Sequence, residues 1–170
     1  MLAASFTVSV RRVRDAEPAG MPMTALTVRP IEAGDRAAWD LLWNGYLVFY
    51  EEALPQHITE ETWRRLLDPA VDPHGFVAVD AAGRLVGFVH YLFHASTWAI
   101  GPYCYLEDLF VDPAVRGGGV GAALIEAVYA AADRAGAERV YWMTQDHNAT
   151  ARKLYDRIGK LTPFIKYERR

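Results

Sequence analysis

The sequence predicts an α/β fold: a central, twisted, mixed sheet, mostly antiparallel with one parallel pair late in the chain, flanked by about four α-helices. Three observations predict it. Two β-rich runs in the middle of the chain are separated by Ala82-Gly83, which reads as a hairpin and is antiparallel by construction. Two long stretches, one on each side of that hairpin, repeat apolar residues every three or four positions, as buried helix faces do. The last third alternates strand and helix, which demands a right-handed crossover and parallel pairing.

Residues 24–31, TALTVRPI, alternate and are β-branched, a strand that ends at Pro30. From Asp35 to Tyr50, the side chains Trp39, Leu42, Trp43, Tyr46, Leu47 and Tyr50 share one helical face. A shorter helix is expected from Thr59, with that residue as its cap and Glu60 and Glu61 in the first turn, where the helix dipole favours carboxylates. GFVAVD and RLVGFVHYLF form the hairpin, and Gly101-Pro102 punctuates the chain before the strand CYLEDLFV, which stops at Asp112-Pro113. Val120, Leu124, Ala127, Val128, Ala131 and Ala135 then follow a helical period that Gly136 terminates. RVYWMT is the next strand. NATARKLYDRIG is a helix with Ala151, Leu154, Tyr155 and Ile158 on one side, and PFIKY is expected to close the sheet.

At 170 residues the chain fits one domain. Residues 24–170 form that domain, and residues 1–23 read as an extension outside the core. The extension places its arginines after the apolar stretch and lacks the long apolar segment of a secretory signal. A formal net charge of −3 removes the electrostatic source on which nucleic-acid binding depends. No apolar run approaches the ~20 residues that span a bilayer, so no membrane partner is expected. Cys104 is the single cysteine, which excludes an intramolecular disulfide and fits a reducing, cytoplasmic compartment. No His, Cys or carboxylate set has convincing metal-ligand spacing, so no metal is expected.

RGGGVG, residues 116–121, lies between a strand and a helix, where successive backbone N–H groups and the helix N-terminus can meet an anion. Glycine allows close approach of a pyrophosphate and the unusual dihedrals of a tight turn. GGGVGA also satisfies the dinucleotide fingerprint G-x-G-x-x-G/A. Its place argues against that fold, because too few residues follow to build the further strand-helix units. The ribose-binding role of Glu138 fails with it. A P-loop fails because no Gly-Lys-Ser/Thr follows.

The run from Leu109 to Tyr155 resembles the GCN5-related N-acetyltransferase (GNAT) family, whose cofactor signature, Gln/Arg-x-x-Gly-x-Gly/Ala after a strand, is matched by Arg116, Gly119 and Gly121. RPIEAGDRAAWDLLWNGYLVFYEE, Ser96-Thr97-Trp98, YLEDLFVDP and VYWMTQDHNATARKLY extend the similarity over residues 24–170. The pattern is closest to the yeast-type histone-and-other-protein or D-amino-acid acetyltransferases and to the diamine branch, which includes spermidine/spermine and thialysine acetyltransferases.

The resemblance implies acetyl-CoA as co-substrate. It assigns the pantetheine arm and acetyl group to the backbone of Leu109, Phe110 and Val111. The pyrophosphate goes to Arg116, Gly117, Gly118, Gly119, Val120, Gly121 and Ala122, and the contacts beside the arm to Asn148, Ala151 and Arg152. Asn148 is also a good helix N-cap, and the two roles coexist. Tyr155 matches the family tyrosine that protonates or hydrogen-bonds the departing sulfur. A packed core tyrosine is the competing role.

A primary amine with a pKa of about 10 is protonated at neutral pH and needs a base or water relay before it attacks. Glu107 resembles the glutamate that serves this relay in diamine acetyltransferases, and it also suits a cation anchor; the yeast-like branch lacks it. Strand alternation sends Asp108 to the opposite sheet face. A strand N–H near Phe110 is placed to hold the developing oxyanion. Tyr50, Glu51 and Glu52, ending the first long helix, occupy the substrate-binding position of the diamine enzymes or are simply an exposed helix end. His90 and His94 are read as packing residues of their strand, His147 as a loop residue and Cys104 as a packed residue with no nucleophilic role. The expected acceptor is a small-molecule amine: a polyamine, an amino acid or a relative of these. Protein lysine or histone-type acetylation and a catalytically weak acyl-CoA-binding module are the alternatives. Assembly as a homodimer or higher homo-oligomer is expected from the resemblance.

Overall fold

The computed structural model describes residues 26–169. The extension 1–23, and with it the expected domain boundary, lies outside the described residues. The chain runs through β1 (Thr27–Pro30), a 3-10 turn (Ala33–Asp35), α1 (Arg36–Phe49), α2 (Gln56–Leu66), β2 (His74–Val79), β3 (Leu85–His94) and β4 (Tyr103–Val111). A second 3-10 turn (Pro113–Val115), α3 (Val120–Arg134), β5 (Arg139–Tyr141) and α4 (Ala149–Ile158) follow. The five strands lie side by side in chain order, antiparallel except for the parallel β4–β5 pair. This is the mixed α/β sheet with four helices that the sequence pattern predicts.

Each face of the sheet buries its own cluster. On one side, α3 sets Leu124, Ile125 and Val128 against Val28, Ala78, Val89, Cys104 and Leu106. On the other, α1 and α2 cover Val77, Phe88 and Phe110 with Trp39, Leu42, Trp43, Trp63 and Leu66. The α1 face is aromatic at helical spacing. Trp39 stacks on Trp43 at 5.4 Å between ring centroids and meets Trp63 of α2 at 5.0 Å. Arg36 ties the two helices at their outer edge through a bidentate pair with Glu60 at 2.8 and 2.9 Å.

Three local expectations differ from the structure. The second helix starts at Gln56, one turn before Thr59, because Pro55 stands at its entry with the dihedral a first turn needs. Thr59 instead turns its hydroxyl inward and accepts the Trp43 indole N–H at 3.2 Å. The strand expected over RVYWMT pairs only at Arg139–Tyr141, since the chain parts from β4 after Tyr141. PFIKY forms no strand, and Phe164 and Ile165 are each 75% exposed. Strand propensity expresses fit to a half-buried pleated surface, and the chain offers that segment none.

A further feature, absent from the sequence pattern, is a one-residue slip in β4. Tyr91 pairs Leu106 and His90 pairs Asp108, so Glu107 has no partner on β3. A bulge of this kind exchanges the faces beyond it. Cys104 and Leu106 are buried with α3, whereas Phe110 is buried with α1 and α2.

Phe88 is fully buried between Trp39, Trp43, His90 and Phe110. Phe88→Ala is therefore expected to cost about 3–5 kcal/mol of unfolding free energy. Urea denaturation checks it, the midpoint falling with the slope unchanged.

Candidate active site

The parallel partner leaves β4 early. β5 pairs only with Tyr103, Cys104 and Tyr105. From Leu106 to Val111, β4 keeps β3 on one edge, and no strand pairs with the other among the described residues. Backbone N–H and C=O groups on that edge still require partners, and an extended, amide-bearing ligand can provide them. Leu109, Phe110 and Val111 stand on this open stretch. At its end the Val111 carbonyl accepts from Arg116 Nε at 3.2 Å, and the guanidinium lies 5.7 Å from the Phe110 ring centroid.

The glycine loop follows directly. Asp112 accepts the Ala114 N–H at 2.9 Å and shapes the turn after β4. Gly117 and Gly119 then take φ of 86° and 83°, the left-handed region that disfavours any side chain. A Cβ placed on either would meet nothing within 4 Å, so the space over the loop is open. The helical bond from Ala123 N–H to Gly119 O, 3.0 Å, leaves the N–H groups of Val120, Gly121 and Ala122 in the first turn of α3, where no carbonyl precedes them. Free N–H groups at a helix N-terminus are a setting in which an anion can be met, while the Gly118 N–H is directed to the Val115 carbonyl at 3.4 Å. Gly121 has a packing role too, because a Cβ there would come within 3.1 Å of Leu154 on α4.

Across the gap, α4 begins at a braced loop. Asn148 caps it, its Oδ1 accepting the Ala151 N–H at 3.2 Å while its Nδ2 donates to Thr144 Oγ1 at 3.1 Å. Arg152 reaches back to the Asp146 carbonyl at 2.7 Å. Three of the expected cofactor residues thus share one hydrogen-bonded unit. Glu138, weighed as a ribose acid, accepts the N–H groups of Ile100 and Gly101 at 3.0 and 2.8 Å and holds the loop before β4.

A cavity of about 470 Å³ opens between the C-terminal end of α1 and β4. Glu107 and Asp108 both line it, with Trp43, Tyr46, Tyr50, Glu52, Arg65 and Gln145. The two carboxylates therefore do not diverge to opposite faces. The bulge at Glu107 breaks the alternation on which that expectation rested. Tyr50 and Glu52 are at the wall. Glu51 is outside the lining and takes the left-handed turn, φ 56°, that ends α1.

The electrostatics follow from this enclosure. Desolvation, and then the charge of Asp108, raise the Glu107 carboxyl above its ordinary value. Burial lifts the Tyr46 phenol far above the usual range, and the Asp108 charge adds to it. Tyr46 donates to Asp108 Oδ1 at 2.5 Å, and His90 Nδ1 lies 3.0 Å from Oδ2. Tyr155 stands on α4 with its ring edge-on to Trp142 at 5.5 Å. Burial, with the neighbouring Tyr50 second, pushes its phenol up to about 12. It is outside the lining of the cavity. Cys104 is fully buried, which pushes its thiol up to about 11.

Sequence reasoning brings Glu107, Tyr50 and Glu52 to this cavity but misses Asp108, Tyr46, Arg65 and Gln145. Tyr46 was legible: it lies one turn before Tyr50 on the same face of α1. Arg65 sits beside a run of charged helix residues and carries no local sign of its position. Among the described residues, no three His, Cys, Asp or Glu side chains converge as a metal site would require.

Residues 36–159 match the Acetyltransferase (GNAT) family model. The chain is 37% identical over 154 residues to the D-amino-acid N-acetyltransferase HPA3 of Saccharomyces cerevisiae, covering 90% of this chain and 96% of that protein. It is also 37% identical over 75 residues to a thialysine N-epsilon-acetyltransferase of Bos taurus, a match confined to 44% of each chain. Among solved structures, AAC(6')-Iy in complex with a CoA-containing bisubstrate analogue superposes with a TM-score of 0.71 over 86% of this chain and 99% of that one, at 20% identity. At that identity the likeness speaks for the fold.

The dihedral demand of the glycine loop is testable separately from any ligand. Gly119→Ala is expected to destabilise the protein by about 1–2 kcal/mol through left-handed strain. Gly34→Ala, at an open position without a positive φ, stays within about 0.5 kcal/mol of wild type. Paired urea melts read the difference.

Proposed function

Because the chain belongs to the acetyltransferase (GNAT) family and is an acetyl-CoA-dependent N-acetyltransferase, we propose that its acceptor is the amino group of a free amino acid. One observation carries this reading: Glu107, Asp108 and Arg65 line a single cavity, and Arg65, held through its Nε by Glu61 at 2.8 Å, keeps its two terminal nitrogens for a further carboxylate. An ammonium group seeks the two acidic side chains and a carboxylate the arginine, the latter in the bidentate geometry that arginine favours. A polyamine has no use for Arg65. The relative named for D-amino-acid acetylation supports the same substrate class.

In this reading acetyl-CoA lies along the open edge of β4, its arm against the backbone of Leu109, Phe110 and Val111 and flanked by Asn148, Ala151 and Arg152. Its pyrophosphate meets Arg116 and the N–H groups from Gly117 to Ala122. Glu107 accepts the proton from the ammonium. The freed nitrogen pair attacks the thioester carbon, the C–S bond breaks with its electrons on sulfur, Tyr155 supplies the proton to that sulfur, and the second proton leaving the acylated nitrogen passes through water to restore the Tyr155 phenol. A phenol pushed up to about 12 remains protonated at neutral pH and is ready to donate. Cys104 takes no part, since a buried thiol is a poor nucleophile. Tyr50 and Glu52 recognise the acceptor from the end of α1, with Glu51 shaping the turn between them.

Two features bear on the setting. No helix among the described residues is long and apolar enough to cross a membrane. The exposed Leu161, Phe164, Ile165 and Tyr167 form an extended apolar segment that supports self-association of the chain. A cytoplasmic location suits the supply of acetyl-CoA and the free thiol.

CoA release should be measured against D- and L-amino acids, their decarboxylated amines, polyamines and lysine peptides. Amino acids are expected to exceed the matching decarboxylated amines roughly tenfold in kcat/KM, and Arg65→Gln to erase that margin. A preference for polyamines or peptides would overturn the proposal. Tyr155→Phe is expected to lower kcat about a hundredfold with acetyl-CoA affinity retained. The acid limb of kcat/KM belongs to Glu107. Since its folded proton affinity is raised, activity falls as pH drops through a value above the ordinary 4.5, and Glu107→Gln abolishes that limb.

A further inference from the structure

His90 is 1% exposed in the midst of an aromatic cluster, where an aliphatic side chain would fill the space without the desolvation cost of an imidazole. Its two ring nitrogens are each addressed. The Trp39 indole N–H, which can only donate, points at His90 Nε2 from 3.1 Å. Nε2 is thereby the acceptor and the ring hydrogen is on Nδ1, 3.0 Å from Asp108 Oδ2. Phe88 stacks on the imidazole at 4.5 Å and 26°, and Trp43 closes in at 5.7 Å, so the ring is held in that orientation.

Asp108 is gripped from two elements at once. His90 of β3 donates to Oδ2, and Tyr46 of α1 donates to Oδ1 at 2.5 Å. A carboxylate offers about four acceptor positions, so two remain after these bonds, and Asp108 lines the same cavity as Glu107. An ammonium ion has three donors. It can give one to Asp108 and another to Glu107, and when Glu107 has taken its proton the nitrogen is still held by Asp108.

We propose that His90 is a positioning residue for acetyl transfer: through its Nδ1–H it fixes Asp108 as the tether for the acceptor's amino group. The proposal rests on the reading of this cavity as the acceptor site. His90 itself touches no substrate. Trp39 sets its tautomer, Tyr46 completes the grip on Asp108, and the bulge at Glu107 brings the tethering and the proton-accepting carboxylates to one wall.

Two variants separate the tether from the packing. His90→Leu removes the donor. His90→Asn keeps an amide N–H near the place of Nδ1. Both are compared with wild type for thermal midpoint, acetyl-CoA affinity, steady-state kinetics, and calorimetric binding of D-leucine to the CoA complex. His90→Leu is expected to raise the amino-acid KM and the D-leucine Kd about tenfold, with kcat and acetyl-CoA affinity within about threefold. His90→Asn should restore both to within about threefold of wild type, and Asp108→Asn combined with His90→Leu should bind no worse than Asp108→Asn alone. Unchanged D-leucine binding in His90→Leu with only a lower thermal midpoint would overturn the proposal. So would failure of His90→Asn to rescue. Weakened D-leucine binding without CoA release from any variant, wild type included, would uphold the tether and overturn the acetyl-transfer assignment instead.

Discussion

Between Leu106 and Asp108 the β4 strand carries one residue more than β3 opposite it, and the side-chain directions before and after that point are exchanged. Before the slip, Cys104 and Leu106 lock β4 onto α3; after it, Phe110 locks the same strand onto α1 and α2. A regular strand would bury all three with α3 and send Asp108 there as well. The bulge anchors one strand in both core layers and leaves Glu107 free of cross-strand pairing beside the cavity.

The departure of β5 after Tyr105 completes what the bulge begins. A sheet that stayed paired to its end would satisfy the β4 backbone internally and present only side chains. The divergence instead exposes a row of peptide groups that leads from the carboxylate pair toward the glycine loop and the N-terminus of α3. Packing keeps the gap open. Trp142, Tyr129 and Tyr155 interlock, and Tyr129 donates to the Ile158 carbonyl at 3.1 Å, holding α4 against the α3 side of the sheet. A Cβ on Gly159 would fall within 2.8 Å of Trp142, so the end of α4 depends on that closeness.

Much of this was legible in the residues because it depends on local rules. The hairpin turn at Gly83, the α1 stripe from Trp39 to Tyr50, the stop at Gly136 and the Asn148 cap follow from periodicity and dihedral preference alone. The glycine loop was legible for the same reason, since Gly117 and Gly119 are glycines that their φ values require. What was hidden depends on pairing between distant strands. No feature of YLEDLFV announces a bulge, so Asp108 was assigned to the wrong face and its bond to the packed His90 went unseen. Arg65 reaches the cavity only because α2 crosses β2 near it. PFIKY carries a strand pattern, but it pairs with no strand among the described residues.

The central claim is that the open edge of β4 and the glycine loop together hold acetyl-CoA. Hydrogen–deuterium exchange with and without acetyl-CoA tests it directly, residue by residue. New protection is expected to concentrate at residues 106–111 and 117–122, with the β1–β2 pair unchanged. Protection confined to other elements, or none at saturating acetyl-CoA, would contradict it.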